Sequence, residues 1–374
     1  MQAVRDPKSF LMPPSGALLS LPLGAGKSRQ VLWAQGGLRR SAAPQPGGFS
    51  VYAPDFFLDN PQPWLLPQDS ADPQAVQVLA ADTLAAGLAP FAAASPSSSM
   101  FDWTPPLLAE FDEAFRDLQA HFRAGSLRKA VPVFFEQAHV RLSPAQTVRW
   151  ILAALQAPQS LLPYGCWTEE GGMLGASPEV LFEVHQGTLK TMALAGTLSA
   201  PPADAAGEAE QAFLADPKER KEHSLVVEGI AEALAPFGAV TIGPTRILKL
   251  PGLWHLQTPI KTALREDPHM EVLAHCLHPT PALGGSPRAA SVEWLRRQDL
   301  KEGKTQRRGG FGAPFGVQCP DGSLFCLVAV RNILWNTETV RIGAGCGIIA
   351  ESRPEREWEE LRQKRGSVKR LFGL

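Results

Sequence analysis

Two pairs of apolar runs stand on either side of turns too short to hold a helix, and this feature most constrains the fold. Residues 180–184 and 188–195 flank the turn at 186–187, and residues 324–335 and 340–343 flank a similar short turn. Parallel strands need a connection of a dozen or more residues, whereas antiparallel strands are joined by tight turns. The sequence therefore predicts β-hairpins and antiparallel sheets.

Helical periodicity recurs between these strands. Apolar residues follow one another at spacings of three and four at Leu108, Phe111, Phe115, Leu118 and Phe122, as on the buried face of a helix. Further helices are predicted over residues 148–155, over residues 217–236, and from a capping box at Ser352, Pro354 and Glu355. Because strands and helices mix without a βαβ rhythm or a repeat, the predicted fold class is α+β, with large antiparallel β-sheets carrying helices on their outer faces.

The amino-acid composition of the chain changes near residue 104. Residues 1–104 are rich in Pro, Ala, Gly and Ser, with short strand-like pieces at 30–34 and 49–53 and a low-complexity stretch at 92–99. From residue 105 onward the helix and strand patterns sharpen. The length of 374 residues fits one large domain or two ordinary ones.

Charge and cysteine content exclude several functions. The 36 basic residues balance the 37 acidic ones, so we expect no nucleic-acid or anionic-membrane partner. The five cysteines form no CxxC pair, which argues against a disulfide framework and a zinc ribbon. The N-terminus makes a poor signal peptide and no apolar run approaches the roughly 20 residues that span a bilayer. A cytoplasmic enzyme is the expectation.

Arg331 is a charged residue within an apolar run, residues 324–335, that resembles a buried strand. A buried guanidinium needs an anionic partner. The partner could be a protein carboxylate in a structural ion pair, or a substrate carboxylate held by a bidentate fork. Glycines follow at Gly343, Gly345 and Gly347, where the backbone can approach an anion closely.

Two helices carry acidic pairs. Glu357, Glu360 and Lys364 share one face of the last helix, and Glu219 and Glu222 share a face of the helix from residue 217. Such residues most often form solvated ion pairs. Glutamates from two helices could instead share one hard cation, because Mg²⁺ prefers oxygen ligands.

Other candidate residues have ordinary interpretations beside the functional one. Glu179 follows a strand and would usually be a turn residue, Lys129 would be solvated, and His255 would be a satisfied core histidine. The Pro- and Gly-rich loop at 277–287 differs, because it is too rigid for a generic linker and is typical of a loop shaped around a ligand.

Taken in order, the segments resemble the motifs of one enzyme family, the chorismate-utilising enzymes, over roughly residues 107–374. The segments are Gly-Ala-Ser-Pro-Glu at 175–179, Ala-Leu-Ala-Gly-Thr at 193–197, Lys-Glu-Arg-Lys-Glu-His at 218–223, Leu-Trp-His-Leu-Gln-Thr-Pro at 253–259, Leu-His-Pro-Thr-Pro-Ala-Leu-Gly-Gly at 277–285, the run holding Arg331, Ala-Gly-Cys-Gly-Ile-Ile at 344–349 and Glu-Trp-Glu-Glu at 357–360. The loop at 277–285 looks most like that of isochorismate synthases.

This resemblance implies a chorismate-utilising fold with a central active-site cleft. Residues 105–374 would be the chorismate-binding catalytic region and residues 1–104 a divergent N-terminal part of the same domain. The implied activity is Mg²⁺-dependent conversion of chorismate to isochorismate, without a glutaminase subunit. Quinone, siderophore and salicylate synthesis all stay open as uses of the product.

The resemblance also assigns roles to residues. Lys129 would be the base that activates water for attack at C2, and Glu179 the acid that protonates the C4 hydroxyl. Mg²⁺ would be bound by Glu222 and Glu360, with Glu219 and Glu357 behind them. The substrate would be bound by Arg331 and Lys364 as a carboxylate clamp, by Gly345 and Gly347 through their backbone, and by Gly196, Thr197, His255, Ala282 and Phe311 along the site.

Departures from the family pattern keep alternatives open. Val133 and Phe134 stand where the family usually has a polar pair, residues 306–308 differ from the usual acidic motif, and Phe311 lacks the family's aromatic hydroxyl. A salicylate synthase, the large subunit of an anthranilate or aminodeoxychorismate synthase, and a non-catalytic chorismate-binding relative are the competing hypotheses.

Overall fold

The structure is a computed structural model, and it describes residues 15–22, 28–68, 75–92, 101–300 and 308–374. The helices are α1 (Ala81–Ala92), α2 (Leu108–Arg123), α3 (Pro144–Leu155), α4 (Ala206–Ala215), α5 (Pro217–Leu234), α6 (Met270–Leu277), α7 (Arg288–Leu300) and α8 (Pro354–Phe372). The strands are β1 (Gly16–Ser20), β2 (Gln30–Gln35), β3 (Leu38–Ser41), β4 (Ser50–Tyr52), β5 (Trp64–Pro67), β6 (Val76–Ala80), β7 (Trp103–Thr104), β8 (Lys129–Ala130), β9 (Val133–His139), β10 (Leu162–Thr168), β11 (Gly171–Ser177), β12 (Val180–His185), β13 (Thr188–Ser199), β14 (Gly238–Ile242), β15 (Arg246–Leu250), β16 (Leu253–Leu264), β17 (Gly285–Ser286), β18 (Pro314–Gln318), β19 (Leu324–Val328), β20 (Asn332–Asn336), β21 (Thr339–Gly345) and β22 (Ile348–Ile349).

Two large sheets organise the molecule. The first sheet has the strand order β6-β2-β1-β10-β11-β20-β21-β9-β7. The second sheet has the order β14-β16-β13-β12-β19-β18-β4-β5-β3, with β15 also paired to β16, and a small sheet has the order β17-β8-β22. Neighbouring strands in the first and second sheets pair antiparallel, for example β1 with β10 and β12 with β19, so the predicted α+β class with antiparallel sheets is confirmed.

The sheets face each other, and helices cover their outer faces. One apolar cluster joins residues of both large sheets, including Leu19 of the first sheet and Phe325 of the second. A second cluster joins the first sheet to α1, α3 and α8, and a third joins the second sheet to α5 and α6. Burying side chains on both faces of each sheet stabilises this layered arrangement.

Strands from the N-terminal third pair within these same sheets. β1 pairs with β10, and β4 pairs with β18. The strand-like pieces predicted at 30–34 and 49–53 lie in β2 and β4. The boundary at residue 104 stays a prediction. Of the low-complexity stretch at 92–99, Ala92 ends α1 and the rest lies outside the described residues.

Local patterns placed most elements correctly. The hairpin at 180–195 is β12 and β13, paired from Glu183 with Lys190. The helix predicted from Leu108 is α2, and the helix predicted over 217–236 is α5, which ends at Leu234. The capping box was wrong, because Arg353 occupies the N-cap position of α8 without a side-chain bond and the Ser352 hydroxyl accepts from Ile349 N–H at 3.1 Å.

The prediction of one long strand over residues 324–335 was also wrong. Leu324–Val328 is β19 in the second sheet, whereas Asn332–Asn336 is β20 in the first sheet. Residues 329–331 carry the chain from one sheet to the other, and Arg331 has a φ of 58°. An apolar run buried on both faces resembles one strand in sequence, because burial alone does not reveal a change of sheet. The hairpin that follows, β20 with β21, is confirmed.

Candidate active site

A cleft of about 680 Å³ is lined by residues of both large sheets and of α5 and α8. Most of the residues singled out in the sequence line it: Glu179, Gly196, Thr197, Glu222, His255, Ala282, Phe311, Arg331, Gly345, Gly347, Glu360 and Lys364. Three predicted site residues lie just behind this lining. Lys129 pairs with Glu222, and Glu219 accepts from the Thr197 N–H. Glu357 pairs with Lys218 in an acidic cluster that consists of Glu219, Glu222, Glu357 and Lys218. The structure therefore brings together residues up to 235 positions apart in the chain (129 to 364).

Glu179 lies in the turn between β11 and β12 and is 7% exposed. Its backbone N–H donates to the Ser177 hydroxyl at 3.1 Å, and its carbonyl accepts from Val328 N–H at 3.0 Å. Burial raises the pKa of its carboxyl to about 7, although the positive charges of Lys129 and Lys364 oppose this shift. Near neutral pH a large fraction of Glu179 holds its proton, which is the state that a general acid requires.

Lys129 is fully buried in β8, in the middle of the small sheet. Its Nζ lies 3.0 Å from Glu222 Oε1. Gly347 makes room for this pair, because a Cβ at that position would lie 2.0 Å from Glu222 Oε1 and 2.8 Å from Lys129 Cε. The glycine in the Gly-Cys-Gly segment is thus required for the close approach of the backbone to an ion pair.

The acidic cluster contains a residue to which the sequence analysis gave no role, Lys218. Its Nζ lies 3.0 Å from Glu222 Oε2 and 3.2 Å from both Glu219 Oε1 and Glu357 Oε1. Together these carboxylates raise the pKa of the Lys218 ammonium even though burial opposes it. The spacing is a usable signal, since Lys218 and Glu222 are four residues apart on one helix face.

The glutamates differ in their protonation. Burial raises the pKa of Glu222, but Lys129 and Lys218 outweigh burial and lower it to about 2. Burial, followed by the charge of Glu222, raises the pKa of Glu219 to about 7. Burial, followed by the charge of Glu360, raises the pKa of Glu357 to about 7. Thus Glu219 and Glu357 take up protons readily whereas Glu222 stays ionised.

The carboxylates of the predicted metal site are paired with lysine side chains in the structure. Within the described ranges, no three His, Cys, Asp or Glu side chains are grouped so that they could hold a metal ion. Three of the predicted ligands instead surround the Lys218 ammonium, and Glu360 accepts from the Thr197 hydroxyl at 3.1 Å and pairs with Lys364 at 2.5 Å. A cation position exists among these oxygens, and a lysine side chain fills it.

Arg331 reaches the cleft from the crossing between the two sheets. It donates to the hydroxyl of Ser367, three residues beyond Lys364 in α8, and to His255 Nε2 at 3.1 Å. No carboxylate of the described residues forms an ion pair with it. Burial lowers its pKa to about 10, with Glu360 opposing. Among the described residues, the observed hydrogen-bond partners of the Arg331 guanidinium are thus neutral groups.

His255 is neutral and orients Arg331. Burial, followed by the charge of Arg331, lowers its pKa to about 3. Its Nδ1 lies 3.0 Å from the Gly196 carbonyl, which can only accept a hydrogen bond. Nδ1 therefore carries the proton, and Nε2 is left to accept from the Arg331 guanidinium.

Backbone groups complete the polar side of the cleft. Gly196 has a φ of 77° at a register shift between β13 and β16, and the next N–H, of Thr197, donates to Glu219 Oε2 at 3.0 Å. The Gly345 carbonyl accepts from Lys364 Nζ at 2.8 Å. Glycine is needed at position 196 because a residue with a side chain rarely adopts this φ.

The opposite side is apolar. Ala282 belongs to the loop at 277–287, and Phe311 packs edge-on against Phe135 with ring centroids 5.7 Å apart. At the departure from the family's polar pair, Val133 lies near Gly345 and Phe134 packs against Phe111 and Trp358. Phe134 thus belongs to the core behind the cleft and does not line it.

Comparison with known proteins agrees with this geometry. The chorismate binding enzyme family matches residues 80–373, so the chain belongs to that family. The salicylate biosynthesis isochorismate synthase of Pseudomonas aeruginosa is 38% identical over 201 residues, which are 53% of this chain and 41% of that protein. The isochorismate synthase EntC of Escherichia coli K12 is 33% identical over 207 residues, 54% of this chain and 52% of that protein.

Solved structures show the same fold. The menaquinone-specific isochorismate synthase MenF of Escherichia coli superposes with a TM-score of 0.77 at 20% identity, covering 100% of this chain and 92% of that one. The chain matches only about half the length of its curated relatives. Among the described residues, no helix combines the length and apolarity needed to span a membrane.

Proposed function

We propose that this chain is an isochorismate synthase, which isomerises chorismate to isochorismate in the presence of Mg²⁺. The observation that carries the proposal is a buried carboxyl, Glu179, in the lining of a cleft that also contains Arg331 and Lys364; burial raises its pKa to about 7. Loss of hydroxide from a ring carbon needs a proton donor that still holds its proton near neutral pH. The names of the relatives from Pseudomonas aeruginosa and Escherichia coli support the same reaction.

The proposed reaction moves a hydroxyl group from C4 to C2 of the ring. Glu179 gives its proton to the C4 hydroxyl, which leaves as water while the ring double bonds shift. The oxygen of a second water forms a bond to C2, and the proton that this water loses passes to Nζ of Lys129, which must first have released a proton of its own. Atoms and charge balance, and the product is an isomer of the substrate. Lys129 acts as a base only if its ion pair with Glu222 loosens in the reacting complex.

Arg331 and Lys364 are proposed to hold a carboxylate of chorismate. Arg331 binds two neutral groups, Ser367 and His255, and has no ion-pair partner among the described residues. A bidentate guanidinium–carboxylate pair would satisfy its charge. The backbone of Gly345 and Gly347 would lie beside this clamp.

The remaining proposed contacts line the rest of the cleft. On the polar side of the cleft these contacts are Gly196, Thr197 and His255, and on the apolar side they are Ala282 and Phe311.

With the Lys218 ammonium displaced, the carboxylates present would fit a Mg²⁺ ion. Lys218 already marks a cation position among three carboxylates, and Glu357 Oε2 is buried without a hydrogen-bond partner. Glu222 and Glu360 would hold the ion, with Glu219 and Glu357 behind them. When bound, Mg²⁺ would offset the negative wall of glutamates and anchor a substrate carboxylate.

Further parts of the proposal concern partners and location. We propose that chorismate is the small-molecule substrate, that no glutaminase subunit or nucleic acid takes part, and that the enzyme works in the cytoplasm. Ala282 also favours release of isochorismate, because it offers no hydroxyl that could hold the intermediate for loss of pyruvate.

Chromatography of the product formed from chorismate and Mg²⁺ alone tests the proposal. We expect isochorismate as the main product, with EDTA abolishing turnover and ammonium leaving the product unchanged. Glu179→Gln is the matched variant, since it keeps the shape of the side chain without the acidic proton. Stoichiometric salicylate and pyruvate would instead identify a salicylate synthase, and an aminated product a relative of anthranilate synthase. If chorismate were recovered unchanged, the hypothesis of a non-catalytic chorismate-binding protein would be supported instead.

A further inference from the structure

Residues 329–331 connect the two sheets, and each of their backbone carbonyls accepts a hydrogen bond. Ala329 C=O accepts from Gly312 N–H at 2.7 Å, and Arg331 C=O accepts from Ala176 N–H at 3.3 Å. Val330 C=O accepts from the Tyr164 hydroxyl at 2.9 Å. These bonds fix a segment whose last residue has a φ of 58°.

A positive φ is unfavourable for a residue with a side chain and persists only where the surroundings enforce it. Leu58, Gln186 and Arg331 are the non-glycine residues with positive φ in the described part of the chain. Arg331 alone among them lines the cleft. Its conformation therefore needs support from its neighbours.

Two fully buried polar side chains supply that support. The Asn332 side-chain amide donates to Ala329 C=O at 2.8 Å and to the Tyr164 hydroxyl at 2.9 Å. The Tyr164 hydroxyl then donates to Val330 C=O. Gly175 leaves space for this pair, because a Cβ there would lie 2.7 Å from the Tyr164 hydroxyl and 2.8 Å from Asn332 Cβ.

We propose that Tyr164 and Asn332 are positioning residues for substrate binding, which hold Arg331 in its left-handed conformation and direct its guanidinium into the cleft. The inference rests on the proposed role of Arg331 in binding a carboxylate of chorismate. Neither Tyr164 nor Asn332 is in the lining of the cleft, so they act through the backbone of residues 329–331. Preorganisation of this kind lowers the cost of ordering a binding group.

Tyr164→Phe is the test, and Tyr52→Phe is its matched control. These are the two tyrosines of the chain, both are buried, and Tyr52 packs against Trp64. Tyr164→Phe removes both hydrogen bonds of this hydroxyl, so we expect it to raise KM for chorismate about three- to tenfold with kcat within about twofold. Tyr52→Phe should leave KM unchanged. An unaltered KM in Tyr164→Phe would overturn the proposal, as would an equal rise in both variants.

A second measurement separates positioning from a general loss of stability. In an Arg331→Ala background, Tyr164→Phe should raise KM further by less than about twofold, because the group it positions is absent. A full additional rise there would overturn the proposal. Asn332→Ala should repeat the pattern of Tyr164→Phe.

Failure of the proposed function is distinguishable from failure of this inference. If wild-type protein does not convert chorismate, the proposed function fails, and crystal structures of the wild type and Tyr164→Phe then decide the inference. A φ of Arg331 that is positive in the wild type and negative in the variant supports it. An unchanged positive φ in the variant overturns it.

Discussion

Replacing Lys218 by methionine should tighten the binding of Mg²⁺. The Lys218 ammonium lies 3.0–3.2 Å from oxygens of Glu219, Glu222 and Glu357, and its side chain is 22% exposed. The Mg²⁺ ion that we propose at these carboxylates would have to displace the ammonium first. Methionine keeps the unbranched apolar stem and removes the competing charge.

The magnitude follows from the bonds that the ion replaces. A hydrogen bond to a charged group contributes about 1.5–3 kcal/mol, so removing even one competing bond corresponds to about tenfold to 100-fold in affinity. Protons oppose part of this gain, because Glu219 and Glu357 have pKa values of about 7 and take up protons when Lys218 is absent. We expect about tenfold tighter binding at pH 7 and a larger gain at pH 8.5.

Titration calorimetry with Mg²⁺ and no substrate measures the effect directly. Lys221→Met is the matched control, since Lys221 lies on the same helix but pairs with Glu351 outside the cluster. Its affinity for Mg²⁺ should equal that of the wild type. Equal or weaker binding of Mg²⁺ by Lys218→Met would refute the reasoning that the ammonium and the metal compete for one position.

The other predictions concern protonation, space and backbone strain. Because Glu179 is the proposed proton donor and its pKa is about 7, kcat at saturating Mg²⁺ should fall as pH rises through 7; a pH–rate profile that rises there would contradict this. Gly347→Ala should lower activity about 100-fold, a typical effect of misplaced catalytic groups, since its Cβ would displace the Glu222 carboxylate. Gly207→Ala, with nothing within 4 Å of the added Cβ, is its control, and equal activity of the two variants would argue against the effect. Arg331→Gly should be more stable than Arg331→Ala by about 1 kcal/mol in urea denaturation, because glycine tolerates the φ of 58°; equal stability would remove the case for strain.

Local periodicity predicted the elements whose partners are close in sequence. Helix α2 and the β12–β13 hairpin follow from spacing and turn chemistry alone. The crossing at residues 329–331 could not be predicted in this way, because membership of a sheet depends on strands far away in the chain. The failed capping box has a local cause, since the Ser352 hydroxyl accepts from the Ile349 N–H and not from a backbone N–H in the first turn of α8.

Sequence motifs predicted which residues would line the candidate site, but they did not predict the contacts among those residues. Spacing placed Glu219 and Glu222 on one face of α5, and the structure adds that Lys218 on that helix occupies the centre of their cluster. The partners of Arg331 were also not predictable. They are neutral side chains from β16 and α8 that approach it only in the folded chain.

The position of Arg331 joins the fold to the proposed chemistry. A guanidinium on a regular strand within either sheet would point across a core that is packed with apolar side chains, where it would need a protein carboxylate. At the crossing between the sheets, Arg331 instead has a left-handed conformation and donates to His255 and Ser367, which carry no negative charge. The same crossing brings β19 against Glu179 through the Val328 N–H. One break in an apolar run thus lies beside both Arg331, the proposed anion-binding group, and Glu179, the proposed proton donor.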